Sequence, residues 1–278
     1  MSDDKPESRR RRRGDPRPDG EPQDGRLLDG LLMALRFYSR LPTGERPHLR
    51  PDLNRIATSV PFASLVIGAL PAVVLLVCAL LDLPRLFAAG LAVGAAVLTA
   101  GAMAEDALAD AADGLFGATS RERRLEIMKD SRHGTYGVTA LCLFLILRVA
   151  ALSAMVAVEP LGAAAVWLGA MTMARSGALW LTVALPSARA DGASAAAGRV
   201  TLPAFALGAV FALILGLVLT APAAGLPGFI CAVAAMAVVA YGWADLCRRL
   251  VGGQTGDLIG ALQALLELAA LTGFLVAA

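Results

Sequence analysis

The chain has 278 residues, of which 57% are hydrophobic and only 17% charged, with a mean hydropathy of +0.64. That balance excludes an ordinary soluble domain and implies a polytopic, all-α membrane protein. The net charge of +2 conceals a basic N-terminal run and an acidic motif, so placement along the chain says more about partners than the sum does.

Residues 1–26, rich in Arg, Asp, Pro and Gly, bury too little apolar surface to fold and read as a disordered tail. Residues 27–278 form the transmembrane domain. Arg9 to Arg13 lack the apolar h-region of a signal peptide. A solvated anchor on anionic membrane lipid accounts for them, and no nucleic-acid partner is expected. Leu27–Leu41 carries apolar residues at helical intervals with Asp29, Arg36 and Arg40 among them, the pattern of an interfacial amphipathic helix.

Apolar runs of about 20 residues, each enough to cross a bilayer, follow at Ser59–Leu81, Leu86–Ala104, Val138–Val158, Gly162–Leu185, Leu202–Ala221, Leu226–Leu246 and Leu258–Ala278. They predict seven spans. Loops after the second, fourth and sixth carry Arg121, Arg123, Arg124, Lys129 and Arg132, then Arg189 and Arg199, then Arg248 and Arg249, whereas the opposite loops carry only Arg85. This bias puts the N-terminus and every polar motif on the cytoplasmic face. Cys78, Cys142, Cys231 and Cys247 lie in or beside apolar stretches without paired spacing, as small buried residues do, and suggest neither zinc nor disulfides.

The second run ends in Glu105-Asp106-Ala107-Leu108-Ala109-Asp110-Ala111-Ala112-Asp113-Gly114. At helical spacing Asp106, Asp110 and Asp113 are i, i+4 and i+7 and share one face. Three such carboxylates repel unless a cation neutralises them, and Lys or Arg is absent until Arg121. Mg²⁺, held by carboxylate oxygens and completed by water and substrate phosphates, is the economical answer.

Three further polar elements fall on the same face. In Arg121–Gly137, the cations Arg123, Arg124, Lys129 and Arg132 suit phosphate oxygens, and Gly134 and Gly137 permit close backbone approach. Asp130 beside Arg132 also fits a local ion pair. His133 sits amid these residues, where an imidazole can donate to phosphate or relay a proton near neutral pH, while His48 lies in a Pro-flanked loop. Leu185–Gly192 contributes Arg189 and Asp191, and Gly252–Asp257 is a glycine-dense turn entering the last run. Asp257 there serves as an N-terminal cap, a metal ligand or both. Acids for a divalent metal, cations for phosphates and glycine turns on one face suggest phosphoryl or nucleotidyl transfer. Arg148, Arg175 and Glu267 fall near mid-span, where charges pair or line a cavity, and Glu267 is expected to neutralise at least one of the arginines.

With these motifs in order, the chain resembles the cobalamin synthase family of adenosylcobinamide-GDP ribazoletransferases. The residues that carry the resemblance are EDALADAADGLFG at 105–117, RRLEIMKDSRHGTYGV at 123–138, LPSARADG at 185–192 and GGQTGDLIGA at 252–261, supported by ALRFYSRLPTG at 34–44. It implies that a hydroxyl of α-ribazole, or of α-ribazole 5′-phosphate, attacks the cobinamide-side phosphate of adenosylcobinamide-GDP with Mg²⁺ present, releasing GMP. By the same resemblance Asp106, Asp110 and Asp113 bind metal, Arg132, Lys129 and the Gly134/Gly137 turn meet the diphosphate, and Asp257 completes the site. Taken with the reading of the residues, Asp106, Asp110, Arg132 and His133 are the expected catalytic groups, and Arg124, Lys129, Gly134, Gly137, Arg189 and Asp257 are expected to bind substrate. The chain departs from the family pattern at Ala104, where the family has His, and at Ala107, Ser187 and Ala264. Two other readings differ in class. A CDP-alcohol phosphotransferase also sets aspartates at helical spacing, but its Asp-Gly-x-x-Ala-Arg opening is absent here. A transporter would use Arg148, Arg175 and Glu267 as a midplane relay, but no inverted repeat is visible. Gly- and Ala-rich spans allow close packing within one chain or between chains of an oligomer.

Overall fold

In a computed structural model, residues 23–44, 53–130, 132–189 and 199–277 are described. Residues 1–22 of the tail, His48, Asp191 and Gly192 lie outside them. Among the described residues the secondary structure is helical, apart from a parallel bridge between Ser187 and Gln254. The helices are α1 (Gln23–Tyr38), α2 (Leu53–Ile56), α3 (Val60–Leu80), α4 (Arg85–Ala100), α5 (Met103–Phe116), α6 (Arg121–Ile127), α7 (Thr135–Val156), α8 (Pro160–Ala178), α9 (Trp180–Ala184), α10 (Leu202–Val251) and α11 (Gly256–Ala277).

The seven predicted spans become four helices that are long and apolar enough to cross a membrane, α3, α7, α10 and α11, or five if the bent pair α4 and α5 counts as one. Two physical causes explain the difference. First, α10 joins the fifth and sixth runs, with a break between them: Gly225 has φ 65° and ψ 176°, outside the helical region, and Pro222 and Pro227 flank it. Second, α8 is the bundle's inner helix. Its sequence mixes Gly, Ala, Ser and Thr with Arg175, which lowers its hydropathy, yet most of its residues are buried against α3, α10 and α11. Lipid-facing helices must be apolar, whereas one surrounded by other helices need only be small. The outward faces carry the hydrophobic belt that lipid requires, with Leu98, Ile146, Val218 and Val238 all well exposed.

Local signals set the helix ends. α4 stops where Gly101 takes a left-handed conformation and donates to Leu98 O, with Ala102 N reaching Val97 O. Ala102 is left-handed too, at φ 56°, and α5 then leaves α4 at 87°. Ser120 accepts from Arg123 N to cap α6, and Glu159 accepts from Leu161 and Gly162 N–H to cap α8. Gly252, at φ 70°, closes α10. The amphipathic helix expected at Leu27–Leu41 forms as α1, and it docks on the bundle. Met33, Ala34, Leu35 and Tyr38 pack with Ile56, Val60, Ala63 and Leu179 in a second apolar core beside the main one. Free thiols replace any pairing: Cys78 and Cys247 are buried, and Cys142, expected to be buried, is exposed among apolar residues of α7.

Candidate active site

The 87° elbow lays α5 against α7, α11 and α6, so its acids meet three other chain segments at one end of the bundle. Asp113 illustrates why. Its carboxylate, buried to 6% exposure, accepts the Gly134 N–H at 2.6 Å through Oδ2 and the Gly137 N–H at 2.8 Å through Oδ1. Gly134 is the N-cap of α7 and has no side chain to satisfy the first N–H groups of that helix. An acid from another helix therefore caps it, with favourable interaction with the helix dipole. Both glycines are required by space: a Cβ on Gly134 would lie 2.6 Å from Asp113 Oδ1, and one on Gly137 would lie 2.8 Å from Ala109 O. Asp113, expected as the third metal ligand, is thus occupied on both oxygens by backbone donors. Gly134 and Gly137, expected to approach phosphate, approach this carboxylate.

The clasp brings His133 over the other acids of the motif. Its Nδ1 lies 3.6 Å from Asp110 Oδ1 and its Nε2 lies 3.9 Å from Asp106 Oδ1. Asp257 joins from the first turn of α11, close enough for its charge and those of Asp106 and Asp110 to act on one another. It pairs with Arg189 Nη1 at 3.6 Å and meets Thr255 Oγ1 at 3.3 Å. Asp106 and Asp257 line a cavity of about 700 Å³, whose other walls include Arg36, Tyr38, Arg40 and Gln263. Burial pushes the Tyr38 phenol up to about 12, so it faces this cavity uncharged. Among the described residues no group of three or more His, Cys, Asp and Glu side chains is gathered closely enough to hold a metal ion by itself.

The basic segment divides by role. Arg124 Nε donates to Leu115 O at 3.1 Å and Nη1 to Leu250 O at 3.1 Å, while Arg121 reaches Val251 O at 2.8 Å and Ala188 O at 3.2 Å. Leu250 and Val251 end α10, so these cations answer the exposed carbonyls of a helix C-terminus. Arg124, expected to bind phosphate, is a staple between α5, α6 and α10. Arg189 Nη2 likewise holds Leu125 O at 2.8 Å, and the 185–189 loop is tied to the glycine turn by Ala188 N–H to Gln254 O and Gln254 N–H to Pro186 O, both at 2.8 Å. Arg132 is closed on Asp130 by Nε at 3.0 Å and Nη2 at 2.6 Å; the hydrogen bonds from Arg132 lower the Asp130 carboxyl to about 2. Lys129 is exposed beside this pair.

Deeper in the bundle, Arg148 is held by Glu267 through Nε at 2.7 Å and Nη2 at 3.2 Å, and by Glu105 through Nη1 at 3.0 Å. The expected neutralisation by Glu267 is therefore made to Arg148, and Trp167 Nε1 adds a third donor at 2.7 Å. Arg175 stands apart, its guanidinium 5.9 Å from the centre of the Tyr38 ring and its Nε and Nη1 without hydrogen-bond partners. Sequence reasoning missed the part of Glu105, which leaves the acidic face and joins this network. Ala104, where the resembling family has His, borders the small cavity between Glu105, Arg148, Arg175 and Glu267.

Comparison with known proteins bears on what this arrangement serves. The family described as cobalamin-5-phosphate synthase matches residues 30–275. The adenosylcobinamide-GDP ribazoletransferase of Azorhizobium caulinodans is 44% identical over 255 residues, covering 90% of this chain and 97% of that one. The proteins of that name from Xanthobacter autotrophicus and Brucella ovis are 45% and 38% identical, each covering 90% of this chain and 97% and 98% of their own. No solved structure matches the chain.

Proposed function

The chain belongs to the cobalamin-5-phosphate synthase family, and from that premise we propose that it joins adenosylcobinamide-GDP to α-ribazole, or to α-ribazole 5′-phosphate, with release of GMP. The product is adenosylcobalamin or its 5′-phosphate. One observation carries the site assignment: Asp106 and Asp257, from α5 and α11, share a cavity of about 700 Å³ beside Asp110 and His133. A hydroxyl of the ribazole attacks the cobinamide-side phosphorus, a new P–O bond forms, and the bond to the GMP oxygen breaks. In this reading His133 takes the hydroxyl proton through Nε2, and the Asp110 carboxylate, 3.6 Å from Nδ1, stabilises the charge that the imidazole gains.

The chemistry of the donors suits Mg²⁺. Asp106 and Asp257 offer hard carboxylate oxygens at the cavity, with Asp110 one turn along α5 from Asp106, and this ion keeps waters and takes substrate phosphates, which would supply the ligands that the side chains alone do not gather. When bound there it would neutralise charge on the diphosphate oxygens. Asp113 stays outside this set because the α7 N-terminus occupies it. Lys129 is exposed, and Arg132, also exposed, can meet an incoming phosphate once Asp130 releases it.

We place the site on the cytoplasmic face of a bacterial inner membrane. Arg121, Arg123, Arg124, Lys129, Arg132, Arg189, Arg248 and Arg249 belong to the site's end of the bundle, while Arg85 begins the helix entering from the other end. Mid-membrane Arg148 is closed in a hydrogen-bonded ionic network, which suits a structural tie better than a solute relay. Purified protein given adenosylcobinamide-GDP, α-ribazole and Mg²⁺ should release GMP and form the coupled corrinoid. Absence of release from folded protein refutes the proposal, and Asp106→Asn should abolish release while preserving the fold.

A further inference from the structure

The cavity has a cationic side that the reaction as described leaves without a task. Arg36 and Arg40, from the end of α1 and the segment after it, line the same space as Asp106 and Asp257. Arg36 works as a brace. Its Nε donates to Thr43 Oγ1 at 2.7 Å and its Nη2 to Gly44 O at 3.1 Å, folding the 39–44 segment back onto α1. That brace fixes the segment carrying Arg40.

Arg40 has two anchors of its own on the α4–α5 elbow. Its backbone N–H donates to Thr99 O at 2.9 Å. Its side chain lies across Gly101, where a Cβ would stand 2.5 Å from Nε and 2.8 Å from Cγ. Glycine suits the elbow for its φ of +68°, and the arginine side chain lies where a Cβ would project. Despite these anchors the residue remains exposed, and among the described residues no carboxylate pairs with it. A solvated surface arginine has no need of such fixing. A cation whose backbone is fixed at the wall of a cavity that two carboxylates also line, and which no carboxylate neutralises, suits an anion that arrives with the substrate.

We propose that Arg40 is a substrate-contacting residue that grips the diphosphate of the GDP-bearing substrate, with Arg36 as the residue positioning its segment. This rests on the transferase reading and extends it. The carboxylates of α5 and α11 would address the diphosphate through the metal they hold, and Arg40 addresses it from the segment after α1. A guanidinium presents a planar fork to two phosphate oxygens, which a carboxylate wall cannot do. The nucleotide then lies between α1 and the elbow, so docking of α1 on the bundle completes the binding site.

The test compares wild type, Arg40→Gln and Arg40→Lys, each as the full-length chain in lipid nanodiscs. Arg40→Gln should raise KM for adenosylcobinamide-GDP on the order of tenfold to a hundredfold, leave KM for α-ribazole unchanged, and leave the thermal midpoint in place. Arg40→Lys should recover part of the loss, because it restores charge without the fork. Equilibrium dialysis with GDP alone runs in parallel, and its Kd should rise in Arg40→Gln by a similar factor. Equal GDP affinity in wild type and Arg40→Gln overturns the proposal whether or not transfer occurs. A rise in both KM values together with a lowered midpoint overturns it in favour of a packing role. Wild type that binds GDP but never releases GMP instead refutes the transferase reading, and leaves the Arg40 comparison to be decided on Kd.

Discussion

Glu267→Ala should destabilise the bundle by about 4 kcal/mol. The figure follows from what the carboxylate holds. Glu267 is 5% exposed and accepts two hydrogen bonds from Arg148 and one from Trp167, the indole of which is fully buried. The surrounding cluster of Arg148, Arg175, Glu105 and Glu267 is formally neutral, two cations against two anions, so removal of one acid leaves a net positive charge in the membrane interior. Breaking one side of a buried pair costs about 3–5 kcal/mol, and Arg175, already short of partners at Nε and Nη1, cannot compensate. Glu267→Gln keeps an acceptor for Trp167 and should cost about half as much. Unfolding is readable through the buried thiols of Cys78 and Cys247, which a thiol-specific dye reaches only when the helices separate; exposed Cys142 and half-buried Cys231 are first replaced by Ser. The expected fall in midpoint for Glu267→Ala is on the order of 10 °C. Arg148→Met combined with Glu267→Leu should cost less than the two single changes summed, since no half-pair remains between them. A fall of under about 2 °C for Glu267→Ala, or strict additivity in the double variant, would show that water or lipid headgroups reach the network and that the reasoning is wrong.

Asp113→Asn should lower stability by about 2–3 kcal/mol, because the amide nitrogen faces a backbone N–H where a carboxylate oxygen accepted one; GMP release should fall with it as His133 loses its seat, and an unchanged thermal midpoint would contradict the clasp. Gly137→Ala should cost about 1–3 kcal/mol through overlap with Ala109 O and the Asp113 carboxylate, whereas Gly242→Ala, with nothing within 4 Å, should be neutral or slightly stabilising in the same melting assay. The Arg132 hydrogen bonds hold Asp130 at about 2, below its ordinary range, so whatever that pair contributes is fully present above pH about 4 and is lost only as pH falls through about 2. A pH profile of GMP release should accordingly keep its acid limb between pH 4 and 7 unmoved in Asp130→Asn, and a displaced limb would assign that ionisation to the pair.

The helical bundle was legible because runs of about 20 apolar residues have few other fates, and the break in α10 was announced by Pro222, Gly225 and Pro227 between two such runs. The crossing number was less so, since hydropathy measures contact with lipid and α8 is mostly surrounded by protein. The elbow was hidden for a different reason. Gly101 is an ordinary helix stop, but Ala102 at φ 56° adopts a conformation that no propensity favours, and contacts distant in sequence hold the turn, Arg40 among them.

Within the site, helical spacing placed Asp106, Asp110 and Asp113 on one face correctly, yet it could not tell which neighbour that face would meet. Asp113 meets donors 21 and 24 residues onward, at a helix start that lacks a capping side chain. A glycine at the N-cap with an acid on a preceding helix is the signal that was available for it. Glu105 carried a clearer one. It stands with Leu108, Ala109 and Ala112 at i+3, i+4 and i+7, all buried, and so belongs to the apolar stripe of α5, opposite in chemistry to its neighbour Asp106. A carboxylate on such a stripe requires a buried cation, and Arg148 was the candidate already recognised from its mid-span position. The same helix thus sends Glu105 inward to fasten α5 to α7 and α11, while its neighbour Asp106 faces the cavity. The inward tie keeps the outward acids in register with His133 and Asp257, because α5 cannot rotate about its axis without withdrawing Glu105 from Arg148. It follows that Arg148→Met, which touches no substrate, should lower kcat for GMP release while leaving KM for both substrates nearly unchanged; a KM effect without a kcat effect would mean that α5 holds its register by packing alone.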